Sequence, residues 1–163
     1  MATQKLELSR DLRELLKCFL SRDVKFLVIG GHAVSFHGYP RFTKDLDIWI
    51  EQSERNATLV VAALIDFGFD PESVTPDMFN QDNRMTQMGR EPNRVDILQN
   101  INGVTFNSCH SRRTFTEIDG SQIPIISLSD LLVNKLATAR PQDIADARQL
   151  EKIISAREKK KNQ

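Results

Sequence analysis

The feature that most constrains this chain is an apolar segment that carries two carboxylates one residue apart. In the run KDLDIWIE the two carboxylates are Asp45 and Asp47. The apolar residues that alternate with them are Leu46, Ile48 and Ile50. Because side chains alternate between the faces of a β-strand, a strand here puts both aspartates on one face and the apolar residues in a core. Two like charges on a half-buried face are unfavourable unless a cation lies between them.

A later acidic residue, Asp96, has apolar neighbours of the same kind in RVDIL. If this segment is an adjacent strand, Asp96 can lie on the same face as Asp45 and Asp47. Carboxylate oxygens suit divalent cations, and two ions about 3.5–4 Å apart can activate a hydroxyl and stabilise a leaving phosphate. We therefore predict that all three aspartates are catalytic and bind Mg²⁺, as two ions, with Mn²⁺ as an alternative. Asp96 would be the base nearest the attacking group, unless it only pairs with Arg94 or Arg84.

A glycine pair stands upstream of the acidic run, in VIGGHAV. The pattern is typical of a strand, a turn at Gly30 and Gly31, and then a helix. Free N–H groups at a helix start attract phosphate, and glycine lets a triphosphate approach the backbone closely. A phosphate site beside a metal site favours nucleotidyl transfer from a nucleoside triphosphate. Taken singly, each feature also has a structural explanation: a solvated or charge-paired strand for the aspartates, and a simple turn for the glycines.

The remaining patterns alternate between helix and strand without a regular repeat. Helices are predicted over 4–21, 31–38, 53–68, 127–140 and 141–159, and strands over 25–30 and 44–51. A hairpin is predicted from NRMTQMG and NRVDILQ, and another pair of strands around Asp119-Gly120. Residues 103–114 have no clear pattern. In the last helix we expect one face to carry Ile144, Ala147, Leu150 and Ile154.

These elements predict an α+β (mixed α/β) fold with a central mixed β-sheet flanked by helices. We expect a single domain over 1–163, with an N-terminal helix over 4–21, a core over about 24–126 and a C-terminal helical pair over 128–158. The 22 Lys and Arg residues balance 22 Asp and Glu residues, so bulk charge favours neither nucleic acid nor a membrane. No apolar run approaches the ~18 residues of a membrane span, and no signal peptide is apparent, so we expect a cytoplasmic protein.

Other classes of site lack their motifs. Cys18 and Cys109 form no CxxC, which argues against a zinc site or a disulfide scaffold. The chain has neither a Walker A motif nor GxGxxG, which argues against P-loop and Rossmann nucleotide sites.

At its glycines and aspartates the sequence resembles the DNA polymerase β-like nucleotidyltransferase superfamily. The shared pattern is an apolar run with a glycine pair, a helix, D-x-D and a later single Asp. It is more closely similar to the small bacterial branch related to AbiEii-type toxin nucleotidyltransferases. That branch has a motif matched here by GGHA at 30–33 and by Gly38, Arg41, Thr43, Asp45 and Asp47. Its later K-L-A…R…D…D segment is matched by Lys135, Leu136, Ala137, Arg140, Asp143 and Asp146.

The resemblance implies a mixed sheet, Mg²⁺ dependence and a nucleoside triphosphate as substrate. It implies that Lys135 holds the triphosphate, although a surface helix lysine is the alternative without the family. Arg41 and Thr43 either orient phosphates or the acceptor, or hydrogen-bond the loop to the strand. Lys44 either neutralises a phosphate or only flanks the site. The predicted nucleotide-binding residues are thus Gly30, Gly31, Arg41, Thr43, Lys44 and Lys135.

The predicted function is transfer of a nucleoside monophosphate to a hydroxyl of RNA, protein or a small molecule. A toxin–antitoxin or phage-defence setting is the context that the resemblance suggests, with a cognate protein as a further partner and no membrane. The alternative is a non-catalytic module of the same fold that binds a toxin–antitoxin partner. A D-x-D glycosyltransferase is disfavoured by the chain length and by the upstream glycines.

Overall fold

The computed structural model describes residues 4–163, and its centre is a mixed β-sheet. The six strands are β1 (Phe26–Ile29), β2 (Leu46–Ile50), β3 (Met85–Met88), β4 (Val95–Leu98), β5 (Thr114–Ile118) and β6 (Ser121–Ile125). They lie in the order β3-β4-β2-β1-β6-β5. Strand β2 is therefore central, with β1 antiparallel to it on one side and β4 parallel to it on the other.

Helices surround the sheet and confirm the α+β class. They are α1 (Arg10–Ser21), α2 (Gly30–Phe36), α3 (Glu54–Phe67), α4 (Phe106–Ser111), α5 (Leu128–Thr138) and α6 (Pro141–Lys161). Short 3₁₀ turns occupy Pro71–Ser73 and Pro76–Phe79. No helix within residues 4–163 combines the length and the apolar character that crossing a bilayer requires. The extent of the single domain stays a prediction.

The sheet buries the residues that the alternation in β2 assigns to the core. Leu46, Ile48 and Ile50 are each 0% exposed. The predicted hairpins are both present, because β3 pairs antiparallel with β4 and β5 pairs antiparallel with β6. The apolar side of β2 thus fixes which side of the strand its aspartate, Asp47, can occupy.

Helix ends follow local capping chemistry. The Ser53 side chain accepts a hydrogen bond from the Asn56 N–H at the start of α3. Gly68 follows the helix with a φ of +127°, where a side chain would be strained. At α5 the cap is Ser127, whose side chain accepts from the Asp130 N–H.

The N-terminal prediction is wrong in its first part. Helix α1 begins at Arg10, because the Ser9 side chain caps it by accepting from the Leu12 N–H. Residues 4–9 have no regular secondary structure. They are nevertheless packed: Leu6 and Leu8 are buried, so the apolar pattern there reports burial rather than helix. Helix α4 falls in the segment for which the sequence has no clear pattern.

The predicted inner face of α6 is also wrong by one position. Ile144 is 42% exposed, and Ile153 rather than Ile154 is buried. The buried face carries Asp143, Asp146, Ala147, Leu150 and Ile153. Asp143 and Asp146 are therefore buried where the apolar stripe predicted Ile144. They are buried because they bind the cations Lys135 and Arg41.

Candidate active site

The register between β2 and β4 brings two of the predicted aspartates together. Asp47 on β2 is the Cα partner of Asp96 on β4. Paired residues on neighbouring strands point to the same face, so the two carboxylates are neighbours. Asp45 lies in the bend immediately before β2. All three aspartates line one cavity of about 490 Å³, and the sequence prediction that they meet on one face agrees with this arrangement.

Gly30 is a glycine because it touches Asp47. It begins α2 with a φ of +67°, and a Cβ placed on it would lie 2.0 Å from Asp47 Oδ2. No larger residue fits that approach or that backbone conformation without strain. Gly31 is similarly enclosed, since its Cβ would lie 2.8 Å from Thr43 Oγ1. Both glycines thus let α2 start against the side of the sheet that carries Asp45, Asp47 and Asp96, which we call the acidic face. Their contact with phosphate stays a prediction.

The electrostatics of the acidic face favour a bound cation. Burial, together with the charges of Asp96 and Asp45, raises the pKa of Asp47 to about 7, although Lys135 opposes the shift. Burial also raises the pKa of Asp96, against a hydrogen bond from Gln87. Carboxylates that crowd one another resist ionisation until positive charge arrives.

In the free protein, part of that positive charge comes from Arg94. Its Nε donates to Asp45 Oδ1 at 2.7 Å and its Nη2 donates to Asp45 Oδ2 at 3.1 Å. Asp96 instead accepts from Gln87 Nε2 at 2.9 Å. The alternative in which Asp96 serves only as the partner of Arg94 or Arg84 is therefore wrong.

The three aspartates fit a divalent cation in chemistry but not yet in arrangement. They are oxygen donors on one face, which is what Mg²⁺ prefers. Within residues 4–163, however, no three His, Cys, Asp or Glu side chains converge closely enough to hold a metal ion. Arg94 engages both oxygens of Asp45, and Gln87 engages one oxygen of Asp96. The residues that would hold the ion are Asp45, Asp47 and Asp96, after Asp45 is released.

Lys135 lies inside the protein, which rules out the surface-lysine alternative. It is 6% exposed, and its Nζ lies 3.1 Å from Asp143 Oδ1 and 3.0 Å from Asp146 Oδ2. It also lines the cavity that holds the three aspartates. Lys135 is thus a fixed cation at the edge of the acidic face.

Arg41, in the loop before β2, binds Asp146, one of the two carboxylates that hold Lys135. Its Nε and Nη2 each donate to the Asp146 carboxylate at 2.9 Å. Thr43 Oγ1 lies 3.3 Å from the carbonyl oxygen of Asp45, to which it donates. The loop therefore makes the hydrogen bonds that the sequence offered as one alternative for Arg41 and Thr43.

Asp143 completes this ionic cluster. Burial alone would raise its pKa, but hydrogen bonds from Arg140, Thr138 and Lys135 outweigh burial and lower the pKa. The sequence matched Asp143 and Asp146 to a motif without giving them a role. Their i, i+3 spacing was the available signal, because two acids at that spacing share one helix face.

The other predicted residues border the same region. Gly30, Thr43 and Lys44 line the 490 Å³ cavity. The Lys44 side chain is 65% exposed, and its Nζ lies 4.0 Å from Glu91. Gly31 and Arg41 line an adjoining cavity of about 300 Å³, which shares Thr43, Asp47 and Lys135 with the first. The predicted site residues therefore line two cavities that share several side chains.

The fold is shared with solved nucleotidyltransferases. The chain is similar to the lincosamide antibiotic adenylyltransferase LnuA, solved with lincomycin bound, at 19% identity and a TM-score of 0.59, over 90% of this chain and 98% of that one. It is similar to a putative nucleotidyltransferase from Thermotoga maritima at 19% identity and a TM-score of 0.56, over 90% and 92%. It is also similar to the antibiotic-resistance factor ANT(2'')-Ia at 12% identity and a TM-score of 0.54, over 93% and 91%.

At these identities the similarity shows the fold, and the family comes from the sequence. No curated protein sequence matches the chain. A family model matches residues 8–162, which is nearly the whole chain. The chain therefore belongs to the family described as "Nucleotidyl transferase of unknown function (DUF2204)", which confirms the nucleotidyltransferase predicted from its glycines and aspartates.

Proposed function

We propose that this nucleotidyltransferase moves a nucleoside monophosphate from a nucleoside triphosphate to a hydroxyl of an acceptor, with Mg²⁺ or Mn²⁺ held by Asp45, Asp47 and Asp96. The observation that carries the proposal is the pairing of Asp47 with Asp96 across β2 and β4, beside the cation Lys135. One face thus offers ligands for a metal and positive charge for a phosphate.

A bound divalent cation would supply positive charge to the reacting phosphate and lower the pKa of the attacking hydroxyl. The chain itself positions the reactants. Asp96 is the proposed base, and because Gln87 occupies its Oδ1, the oxygen that would take the hydroxyl proton is Oδ2. Asp47 is fixed against the start of α2 by its contact with Gly30.

The nucleotide contacts follow from the charges around the cavity. Lys135 is held by two carboxylates, so its ammonium is placed before the nucleotide arrives. Lys44 is mostly exposed and lines the same cavity, which makes it a second proposed phosphate contact. Gly30, Gly31 and Thr43 are the proposed backbone and hydroxyl contacts. Arg41 contributes by tying its loop to Asp146.

The acceptor is proposed to be a small molecule, with RNA and protein as alternatives tested in the same assay. Two similar structures are named for antibiotic resistance or antibiotic adenylylation, and one of them was solved with lincomycin bound. The match to that lincomycin-bound structure, LnuA, covers 98% of the LnuA chain. The toxin–antitoxin or phage-defence setting, a cognate partner protein and the cytoplasmic location stay predictions from the sequence.

The test is transfer of label from each α-³²P nucleoside triphosphate, with Mg²⁺, to panels of small hydroxyl compounds, RNA and proteins. We expect labelled acceptor and released pyrophosphate from the wild type. Asp47→Asn and Asp96→Asn are expected to lose both. Asp77→Asn, at an exposed carboxylate in a 3₁₀ turn, is the matched control and should keep both.

Full transfer by Asp47→Asn would contradict the proposed role of the acidic face. If the wild type transfers label to no acceptor, yet binds a partner protein equally well with and without Asp45→Asn, the non-catalytic binding module replaces the enzyme.

A further inference from the structure

Asp45 differs from the other two proposed ligands because a protein cation already occupies it. The guanidinium of Arg94 forms two parallel hydrogen bonds to its carboxylate, at 2.7 and 3.1 Å. This is the fork arrangement in which Arg binds carboxylate most strongly. Asp47 and Asp96 make no such pair in the described residues, so the two kinds of ligand are in different states in the free protein.

The fork is built into the strand pairing. Arg94 immediately precedes β4, and its carbonyl oxygen accepts the Leu46 N–H at 3.1 Å. The backbones of Arg94 and Asp45 are thus fixed side by side by the same parallel pairing that aligns Asp47 with Asp96. The contact follows from the sheet itself and is not an incidental meeting of two surface side chains.

A second carboxylate, that of Glu91, lies close enough to bind Arg94 in place of Asp45. The Arg94 side chain is 28% exposed, so it borders solvent, and its Nη2 lies 3.4 Å from Glu91 in the preceding loop. Glu91 is half exposed and can keep the guanidinium paired when the hydrogen bonds to Asp45 break. A swing toward Glu91 would leave the Asp45 oxygens open to the cavity.

A guanidinium cannot lose its charge at physiological pH. A divalent cation and a guanidinium on the same carboxylate repel each other, so one of them must leave or both must bind more weakly.

We propose that Arg94 is an internal competitor for the metal: its fork holds Asp45 in the free protein, and a divalent cation gains Asp45 only when the fork opens. The proposal rests on the metal-dependent function proposed above. It explains why three suitable carboxylates share one face without converging on a metal position within residues 4–163. It makes Arg94 a residue that sets how much cation the enzyme needs.

The direct test is Mn²⁺ binding to the nucleotide-free protein, measured from the electron paramagnetic resonance signal of unbound Mn²⁺. We expect Arg94→Gln to bind Mn²⁺ about three- to tenfold more tightly than the wild type. The matched control is Arg90→Gln, which removes the same charge from the same exposed loop, where Arg90 forms no ion pair among residues 4–163. We expect this control to stay within about twofold of the wild type.

A second variant separates this inference from the proposed function. Asp47→Asn is expected to lose most Mn²⁺ binding. If Asp47→Asn binds Mn²⁺ as the wild type does, the metal site and the proposed function are both overturned. If Asp47→Asn loses binding but Arg94→Gln is unchanged or weaker, only the competitor role of Arg94 is overturned. Equal tightening by Arg90→Gln would likewise overturn it, because bulk charge would then explain the effect.

A measurement on the unaltered protein does not depend on any variant folding. The Arg94 Nε–H signal in a ¹H–¹⁵N spectrum should shift or broaden as Mg²⁺ is added, because its hydrogen bond to Asp45 is lost. The Arg90 Nε–H signal is the internal control and should not move. An unchanged Arg94 signal at saturating Mg²⁺ would show that the fork stays closed and would reject the proposal.

Discussion

Asp146 on α6 accepts two hydrogen bonds from Arg41, which lies 105 positions earlier in the chain, at 2.9 Å each. The same carboxylate lies 3.0 Å from Lys135. Asp146 is 0% exposed, so a single buried anion links the loop before β2 to helix α5. Removing its charge takes one anionic contact from Arg41 and one from the buried Lys135.

We therefore expect Asp146→Asn to lower the free energy of unfolding by about 3 kcal/mol, because breaking a buried ion pair leaves the remaining charge uncompensated. Urea unfolding measures the change. Asp66→Asn breaks the exposed pair with Arg22 and is the control, with a much smaller expected effect. Equal losses in the two variants would contradict the role given to Asp146.

Gly30→Ala should destabilise the protein and abolish nucleotidyl transfer, because its Cβ would lie 2.0 Å from Asp47 Oδ2. The matched control is Gly120→Ala, since Gly120 has a comparable φ of +82° but no atom within 4 Å of its Cβ position. We expect the control to lose about 1 kcal/mol of stability from the backbone alone and to keep its transfer activity. Thermal unfolding and label transfer measure both effects, and an active Gly30→Ala would show that the contact with Asp47 is dispensable.

Asp47→Asn, which is expected to lose transfer activity, should raise the free energy of unfolding when no metal is present. The substitution keeps the shape but removes one of the crowded charges on the acidic face, so we expect a gain of about 1–2 kcal/mol at pH 8 in a chelator. Thermal unfolding with and without Mg²⁺ measures this. Mg²⁺ should stabilise the wild type and not the variant, whereas a loss of stability in the chelator would contradict the repulsion described here.

Stability should fall below neutral pH partly because of His37. Burial, with a smaller effect from the charge of Arg157, lowers its pKa to about 4 and outweighs the opposing hydrogen bond to the Ile126 carbonyl. Its Nδ1 is buried without a partner in the described residues. The unfolded chain, with a histidine pKa near 6.5, therefore takes up the proton first, and His37 should cost about 2 kcal/mol between pH 6.5 and 5.

The measurement is the pH dependence of urea unfolding for the wild type and His37→Gln. The variant should lose less stability than the wild type over this pH range, since glutamine can keep the bond to Ile126 without titrating. His110→Gln, at a less buried histidine, is the control and should change the slope less. Identical slopes for the wild type and His37→Gln would reject the assignment.

The acidic face could be predicted from the sequence because it depends on local patterns. Alternation in the run 44–51 assigns Asp45 and Asp47 to the side opposite the core, and the same apolar context marks Asp96 as a strand residue. The structure adds the register that aligns Asp47 with Asp96. That register depends on packing between strands distant in the chain, which no local pattern specifies.

The ionic partners could not be predicted for the same reason. Arg94 lies two residues from Asp96 in the chain but pairs with Asp45, because the parallel register places it there. On α6, apolar periodicity pointed to Ile144, whereas the cations Lys135 and Arg41 draw the neighbouring acids inward. Charge pairing inside the protein overrides a hydrophobic stripe when the partners come from other segments.

The anion that Arg41 and Lys135 share, Asp146, belongs to α6, the final helix within residues 4–163. A nascent chain that has not yet emerged from the ribosome as far as residue 146 already carries the glycine pair and the aspartates at 45, 47 and 96. It lacks the group that holds those two cations in place. The two cations therefore gain this anchor only after residue 146 has been made, later than the strands that bear the proposed ligands.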